Sequence, residues 1–219
     1  MRKIIVDLLH YTPEFVGVNA VKKPYKNEIA TVETEVKVVL PPHNHSSVAE
    51  HTVLNFNICG ASRLCIQELL RHRMSELDVA DMFSSATVES TRYTLNKVLK
   101  MDLDTIDIWD YFVEPLYDPK RFSSLKEYEL FIMELASFNY CALENMIGQM
   151  KCNTPNDFIK YFLPEGWRVD LAFSINLRSF INFVSLRYNP KAHFEIRHLA
   201  KLMLDSIRNT YLIKFFPNI

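Results

Sequence analysis

Apolar residues recur along this chain with two different periods. Near the start, Val36, Val38 and Leu40 alternate with polar positions, and Leu54, Phe56 and Ile58 alternate with Val53, Asn55 and Asn57. Successive side chains of an extended chain point to opposite faces, so both segments are expected to be strands with one buried face. Gly60 is expected to end the second strand. From Ala61 to Arg73 the spacing becomes helical, with Leu64, Cys65, Leu69 and His72 near one stripe, and the helix delivers Arg71-His72-Arg73 at its end. After Pro119 a long apolar period runs through Tyr128, Phe131, Leu135, Phe138, Ala142, Met146 and Met150, which predicts a helix of several turns. Leu171 to Tyr188 is expected to be a further helix, and Ile196, Leu199, Met203 and Ile207 mark a last one before Pro217. Strands first and helices later give an α+β class, with strands and helices largely segregated.

A chain of 219 residues that is 48% hydrophobic buries one sizeable core. With four glycines, no low-complexity run and no repeat, nothing marks a linker, so one domain over 1–219 is expected. Lys and Arg number 25 against 26 Asp and Glu, which leaves no global positive field for nucleic acid. Phosphate recognition must come from locally placed arginines. Cys59, Cys65, Cys141 and Cys152 lack CxxC spacing and are expected to be buried thiols in a reducing cytoplasm. The apolar start is cut short by Asp7, unlike a signal peptide, and no run approaches the roughly 20 apolar residues of a membrane span. A cytoplasmic protein with no membrane and no nucleic-acid partner is expected.

Four polar groupings interrupt the apolar pattern. His45-Ser46-Ser47-Val48-Ala49-Glu50-His51 puts two histidines, two hydroxyls and a carboxylate just ahead of a strand, with Ser47 and Glu50 at capping-box spacing. The histidines His43, His45 and His51 do not follow a zinc pattern, so no metal is expected. Arg71-His72-Arg73 points around a helix axis at about 100° per residue, so the three cannot share one solvated face. They also complement the negative end of a helix dipole. Ser90-Thr91-Arg92 offers hydroxyls and a guanidinium suited to phosphate oxygens. In Asn176 to Arg187, Arg178 and Asn182 are helical neighbours, whereas Arg187 lies about half a turn away. Functional polar groups on opposite sides of an apolar helix suggest burial between protein surfaces.

Together these groupings resemble the flavin-dependent thymidylate synthases. That family carries His-x-Ser/Thr-x-x-Glu-His, then Arg-His-Arg, then Ser-x-Arg-Tyr, and later Asn-x-Arg-Ser-x-x-Asn-Phe-x-x-Leu-Arg. The matching residues here are His45, Ser47, Glu50 and His51; Arg71, His72 and Arg73; Ser90, Arg92 and Tyr93; and Asn176, Arg178, Ser179, Asn182, Phe183, Leu186 and Arg187, in the family's order. The resemblance implies an antiparallel or mixed sheet packed against long helices. It also implies reductive methylation of dUMP to dTMP, with the carbon from methylenetetrahydrofolate and hydride from NADPH through FAD. Around the flavin it implies His45, Ser47, Glu50, Arg71, His72, Arg73, Asn176, Arg178 and Asn182. For dUMP it implies Glu68, Arg71, Ser90, Arg92 and Lys160, with Arg187 as the catalytic guanidinium against the pyrimidine, where it stabilises developing negative charge. It further implies a homotetramer with active sites between subunits. Another class of thymidylate synthase needs a cysteine that follows a proline; here Ile58, Leu64, Tyr140 and Lys151 precede the cysteines.

The match departs in three places. Met74 to Glu89 supplies sixteen residues between Arg-His-Arg and the serine, nine more than the family spacing, and its charges are all acidic. Ser75 with Asp78 is consistent with a cap, and Leu77, Ala80 and Phe83 to Ser84 with two extra helical turns, forming a lid or a subunit contact, with a disordered loop as the alternative. Lys160 stands where many members have arginine, keeping the charge without the bidentate fork. Ala20 to Tyr25 stands where the family often has a polar cluster such as Arg-x-Ser. An altered lid that admits water makes 5-hydroxymethyl-dUMP an alternative product, and a non-catalytic flavin- or nucleotide-binding protein is the alternative from another class.

Overall fold

The computed structural model describes residues 4–26, 29–71 and 84–217. These residues form two compact units, one of residue 4, 60–66 and 88–170, the other of 5–26, 29–59, 67–71, 84–87 and 171–217. Among the described residues four strands, β1 (Ile5–Tyr11), β2 (Val53–Ser62), β3 (Ser84–Val88) and β4 (Arg168–Asn176), make an antiparallel sheet in the order β1-β2-β4-β3. The class is α+β, as the apolar pattern implied.

The second unit is built around the apolar faces of β2 and β4. Leu54, Phe56 and Ile58 are wholly buried, as are Leu171, Phe173 and Ile175 within 2%. Alternation every second residue turns all six to one side, the pattern of a half-buried antiparallel strand. On the opposite side Ser174 donates to Asn55 Oδ1 at 2.7 Å. Helix α7 (Leu177–Arg187) lays Phe180 against Phe56, ring centroids 5.7 Å apart, and packs on α8 (Phe194–Ser206), which contributes buried Ile196, Leu199 and Met203. Each of these large side chains adds roughly 2 kcal/mol by leaving water.

Helices α1 (Glu14–Tyr25) and α2 (Val32–Val39) pack on each other and on a 3-10 turn, Ser46–His51. The expected strand at Val36, Val38 and Leu40 is therefore corrected to a helix. Its buried residues are Val32, Glu35 and Val39, a helical spacing, and Thr31 and Thr34 form a reciprocal capping box. A short run satisfies a period of two as well as one of 3.6, and the cap decides between them.

Three further expectations change. Leu171 begins no helix: the strand β4 runs to Asn176, whose side chain accepts from Ser179 N at 2.8 Å and starts α7 there. Gly60 does not end β2. It adopts φ 77°, donates to Asp170 Oδ1 at 2.8 Å, and the strand continues to Ser62, whose hydroxyl accepts from Cys65 N and opens α3 (Arg63–Leu70). Ser84 lies in strand β3, not in a helical turn, while the rest of the expected lid helix lies outside the described residues. Strands and helices consequently alternate along the chain and are not segregated, because the last strand follows the longest helix.

In the first unit the short helices α4 (Thr91–Thr94) and α6 (Asn156–Ile159) pack together, and α5 (Leu125–Lys151) is the long helix that the apolar period predicted. Ser124 caps α5 by accepting from Glu127 N at 3.1 Å. The helix buries Leu143, Met146 and Met150 but leaves Leu130, Phe131, Met133 and Phe138 exposed.

Glu35 is a buried carboxyl with no hydrogen-bond partner on either oxygen among the described residues, and Gly17 gives it room. A Cβ on residue 17 would collide with the Glu35 carboxyl group. Burial raises the Glu35 pKa from 4.5 to about 7. The unfolded chain therefore ionises first as pH rises from 4.5 to 7, and the native state loses stability across that window, by at most about 3 kcal/mol. Glu35→Gln is expected to raise the unfolding midpoint at pH 8 and to change it little at pH 4.5. Denaturant titrations at both values test this, and an equal offset at both would contradict it.

Candidate active site

Three ion-paired clusters carry the polar residues singled out in the sequence. In the second unit, Glu68 stands near the end of α3 and Arg187 at the end of α7. Glu68 Oε2 lies 2.9 Å from Arg187 Nη1, and Oε1 lies 3.4 Å from Arg71 Nη1. Glu68 and Arg187 are mostly covered, with 25% and 21% of their side chains exposed, whereas Arg71 is 72% exposed. One carboxylate thus holds a half-buried guanidinium in a fixed direction and leaves a second one open to an incoming anion.

The other side of α7 is met by the 3-10 turn. Arg178 pairs with Glu50, both about 30% exposed. The two-sided polarity of α7 is therefore satisfied within one chain, by Glu50 on one side and Glu68 on the other. Glu50 makes no capping box, since no side chain caps that turn. Asn182 is half-buried one turn beyond Arg178. Asn176 is buried, and its side-chain oxygen is engaged as the cap of α7, which fixes where Arg178 leaves the helix.

Ser47 and Glu50 also line an open groove of about 480 Å³ between the turn and α1. Val16, Ala20 and Pro24 form its apolar wall, and Asn19, Lys23 and His51 add polar groups. His45 is exposed at the start of the turn.

The third cluster belongs to the first unit. Asp157 Oδ2 lies 3.4 Å from Arg92 Nε, and its Oδ1 lies 3.5 Å from Lys160 Nζ. Asn156 donates to the Arg92 carbonyl at 2.9 Å and tethers α4 to α6. Ser90 is exposed just ahead of α4. All three cationic side chains of these pairs and of Arg71 are accessible enough to exchange a carboxylate for a phosphate.

No motif in the sequence marks Asp157, or the pairing of Glu50 with Arg178 and of Glu68 with Arg187. The spacing of Asp157 three residues before Lys160, just inside a helix that follows Pro155, was the available signal. His72 and Arg73 lie outside the described residues. No group of three or more His, Cys, Asp or Glu suited to a metal occurs among the described residues.

The α+β frame thus carries two arginines on one half-buried carboxylate. Comparison with known proteins makes the class specific. The family described as thymidylate synthase complementing protein matches residues 7–211. A flavin-dependent thymidylate synthase of Wolinella succinogenes is 35% identical over 180 residues, covering 80% of this chain and 76% of that protein. One from Helicobacter pylori is 33% identical over 207 residues, 90% of each. A crystal structure of thymidylate synthase X from Helicobacter pylori with FAD and dUMP superposes with a TM-score of 0.77 at 27% identity, covering 99% of this chain and 98% of that one. The chain belongs to the flavin-dependent thymidylate synthase family.

The Glu50–Arg178 pair is expected to contribute about 1 kcal/mol of coupling to stability, given its partial burial. A double-mutant cycle of Glu50→Gln and Arg178→Gln, read by urea unfolding, measures that coupling. A value near zero would mean that the pair orients the groove without stabilising it.

Proposed function

We propose that this chain transfers a one-carbon unit from methylenetetrahydrofolate to C5 of dUMP, making dTMP, with FAD as cofactor and NADPH as reductant. The observation that carries the reading is Glu68 shared between Arg187 and Arg71, which joins two separate family motifs in one ion-paired cluster.

The residues suit the ligands. A flavin dinucleotide combines flat heterocycles with an anionic link. Apolar Val16, Ala20 and Pro24 beside Ser47, Glu50 and Lys23 provide surfaces for both. His45, Ser47, Glu50, Asn176, Arg178, Asn182 and Arg71 would hold it, with His72 and Arg73. When bound, FAD supplies the relay of hydride from NADPH to the transferred carbon.

Glu68, Arg71, Ser90, Arg92 and Lys160 would bind dUMP. Asp157 holds Arg92 and Lys160 until a phosphate competes for them, so the cations are oriented before the nucleotide arrives. Arg187 would stabilise negative charge developing on the pyrimidine and so favour attack by C5. Its guanidinium is positioned by Glu68 and not by solvent, which lowers the reorganisation needed when that charge appears.

A homotetramer, a single catalytic domain over 1–219 and a cytoplasmic location complete the reading. The exposed apolar residues of α5 support assembly. Among the described residues no helix is long and apolar enough to cross a membrane, and the cysteines form no disulfide; of the four expected to be buried only Cys65 is, whereas Cys141 and Cys152 are exposed.

The protein incubated with dUMP, methylenetetrahydrofolate, FAD and NADPH is expected to yield dTMP by mass spectrometry. A hydroxymethylated product, or no release of C5 hydrogen, would overturn the reading. Arg187→Ala is expected to lower kcat roughly 10²- to 10³-fold with FAD still retained. An unchanged kcat would remove Arg187 from the chemistry.

A further inference from the structure

The groove beside the 3-10 turn holds one feature that the family motifs leave unassigned. Lys23 lines it from α1, opposite Ser47 and Glu50. The negative charge of Glu50 is already met by Arg178, whereas Lys23 has no ion-pair partner among the described residues. The groove therefore keeps a net positive edge beside an apolar wall. Lys23 precedes Pro24 in the last turn of α1, where the chain then turns at Lys26 with φ 47°. The proline restricts the backbone on which Lys23 sits, so the ammonium is offered from a well-defined place.

We infer that Lys23 is a dinucleotide-recognition residue of this chain, its ammonium contacting the diphosphate that links the two halves of FAD, with Asn19 beside it. This rests on the flavin-dependent reading above and extends it to a segment where the family's usual polar cluster is replaced. A flexible ammonium is a point charge with three donors, suited to a diphosphate whose oxygens lie in several directions. The competing role, complementing the negative end of the α1 dipole, applies equally to Lys22, which sits in the same last turn but does not line the groove. Lys22 is thus the internal control.

The test uses the full chain freed of flavin and titrated with FAD, ADP and riboflavin, with binding read by fluorescence and competition. Lys23→Gln is expected to weaken FAD and ADP about tenfold and to leave riboflavin, which has no phosphate, unchanged. The gap between parent and variant should narrow as salt rises. Lys23→Arg should restore affinity, which a merely structural lesion would not allow, and Lys22→Gln should bind like the parent. The inference is overturned if Lys23→Gln binds FAD as the parent does, or if Lys22→Gln loses as much. A parent chain that binds no FAD at all would sink the flavin reading itself, and this inference with it; a parent that binds FAD alongside an unaffected Lys23→Gln sinks only the role of Lys23.

Discussion

Burial of Phe180, Phe183 and Val184 beneath α7 fixes that helix in rotation, and the polar chemistry of the second unit follows from this constraint. Phe180 meets Phe56 of β2 on one side and Phe216 on another, with centroids 5.7 and 5.5 Å apart. A helix locked by aromatic packing cannot turn without losing several kcal/mol of apolar contact. Residues that flank the buried stripe are then held to defined directions. Arg178 is aimed at Glu50 and Arg187 at Glu68, nine residues and half a helical turn apart.

The ion pairs are modest in energy but decisive in geometry. Each involves side chains about one quarter to one third exposed, a setting in which a pair adds little net stability yet selects one rotamer of a long side chain. Charge is thus pre-oriented at positions where a bound anion can replace or join the carboxylate. Arg92 and Lys160 follow the same principle in the other unit, around Asp157. Glu35 is the contrasting case. Its carboxyl is buried without a partner, and it is kept near neutrality by desolvation alone, at a cost that depends on pH.

Much of the fold was legible where one period dominated. Leu54, Phe56 and Ile58 alternate over a strand, and the apolar period from Tyr128 to Met150 matches a helix of 27 residues. The reading failed where a short segment satisfied two periods. Val36, Val38 and Leu40 alternate well enough for a strand, but Thr31 caps the segment Val32–Val39 as a helix; Leu171 to Ile175 merges with the helix behind it unless Asn176 is recognised as the cap. Local hydrogen bonds that satisfy the first turn of a helix outweigh a weak periodic signal.

The family and the chemical inventory are written in the covalent order of the chain, in the order and spacing of His45 to His51, Arg71, Arg92 and Asn176 to Arg187. Which carboxylate meets which guanidinium was decided by tertiary structure. Glu68 and Arg187 are more than one hundred positions apart, as are Glu50 and Arg178, and no local spacing rule links residues so distant. Asp157 as the shared partner of Arg92 and Lys160, and Lys23 on the same groove as Ser47, likewise appear only once packing brings separate segments within the few ångströms over which charge is felt.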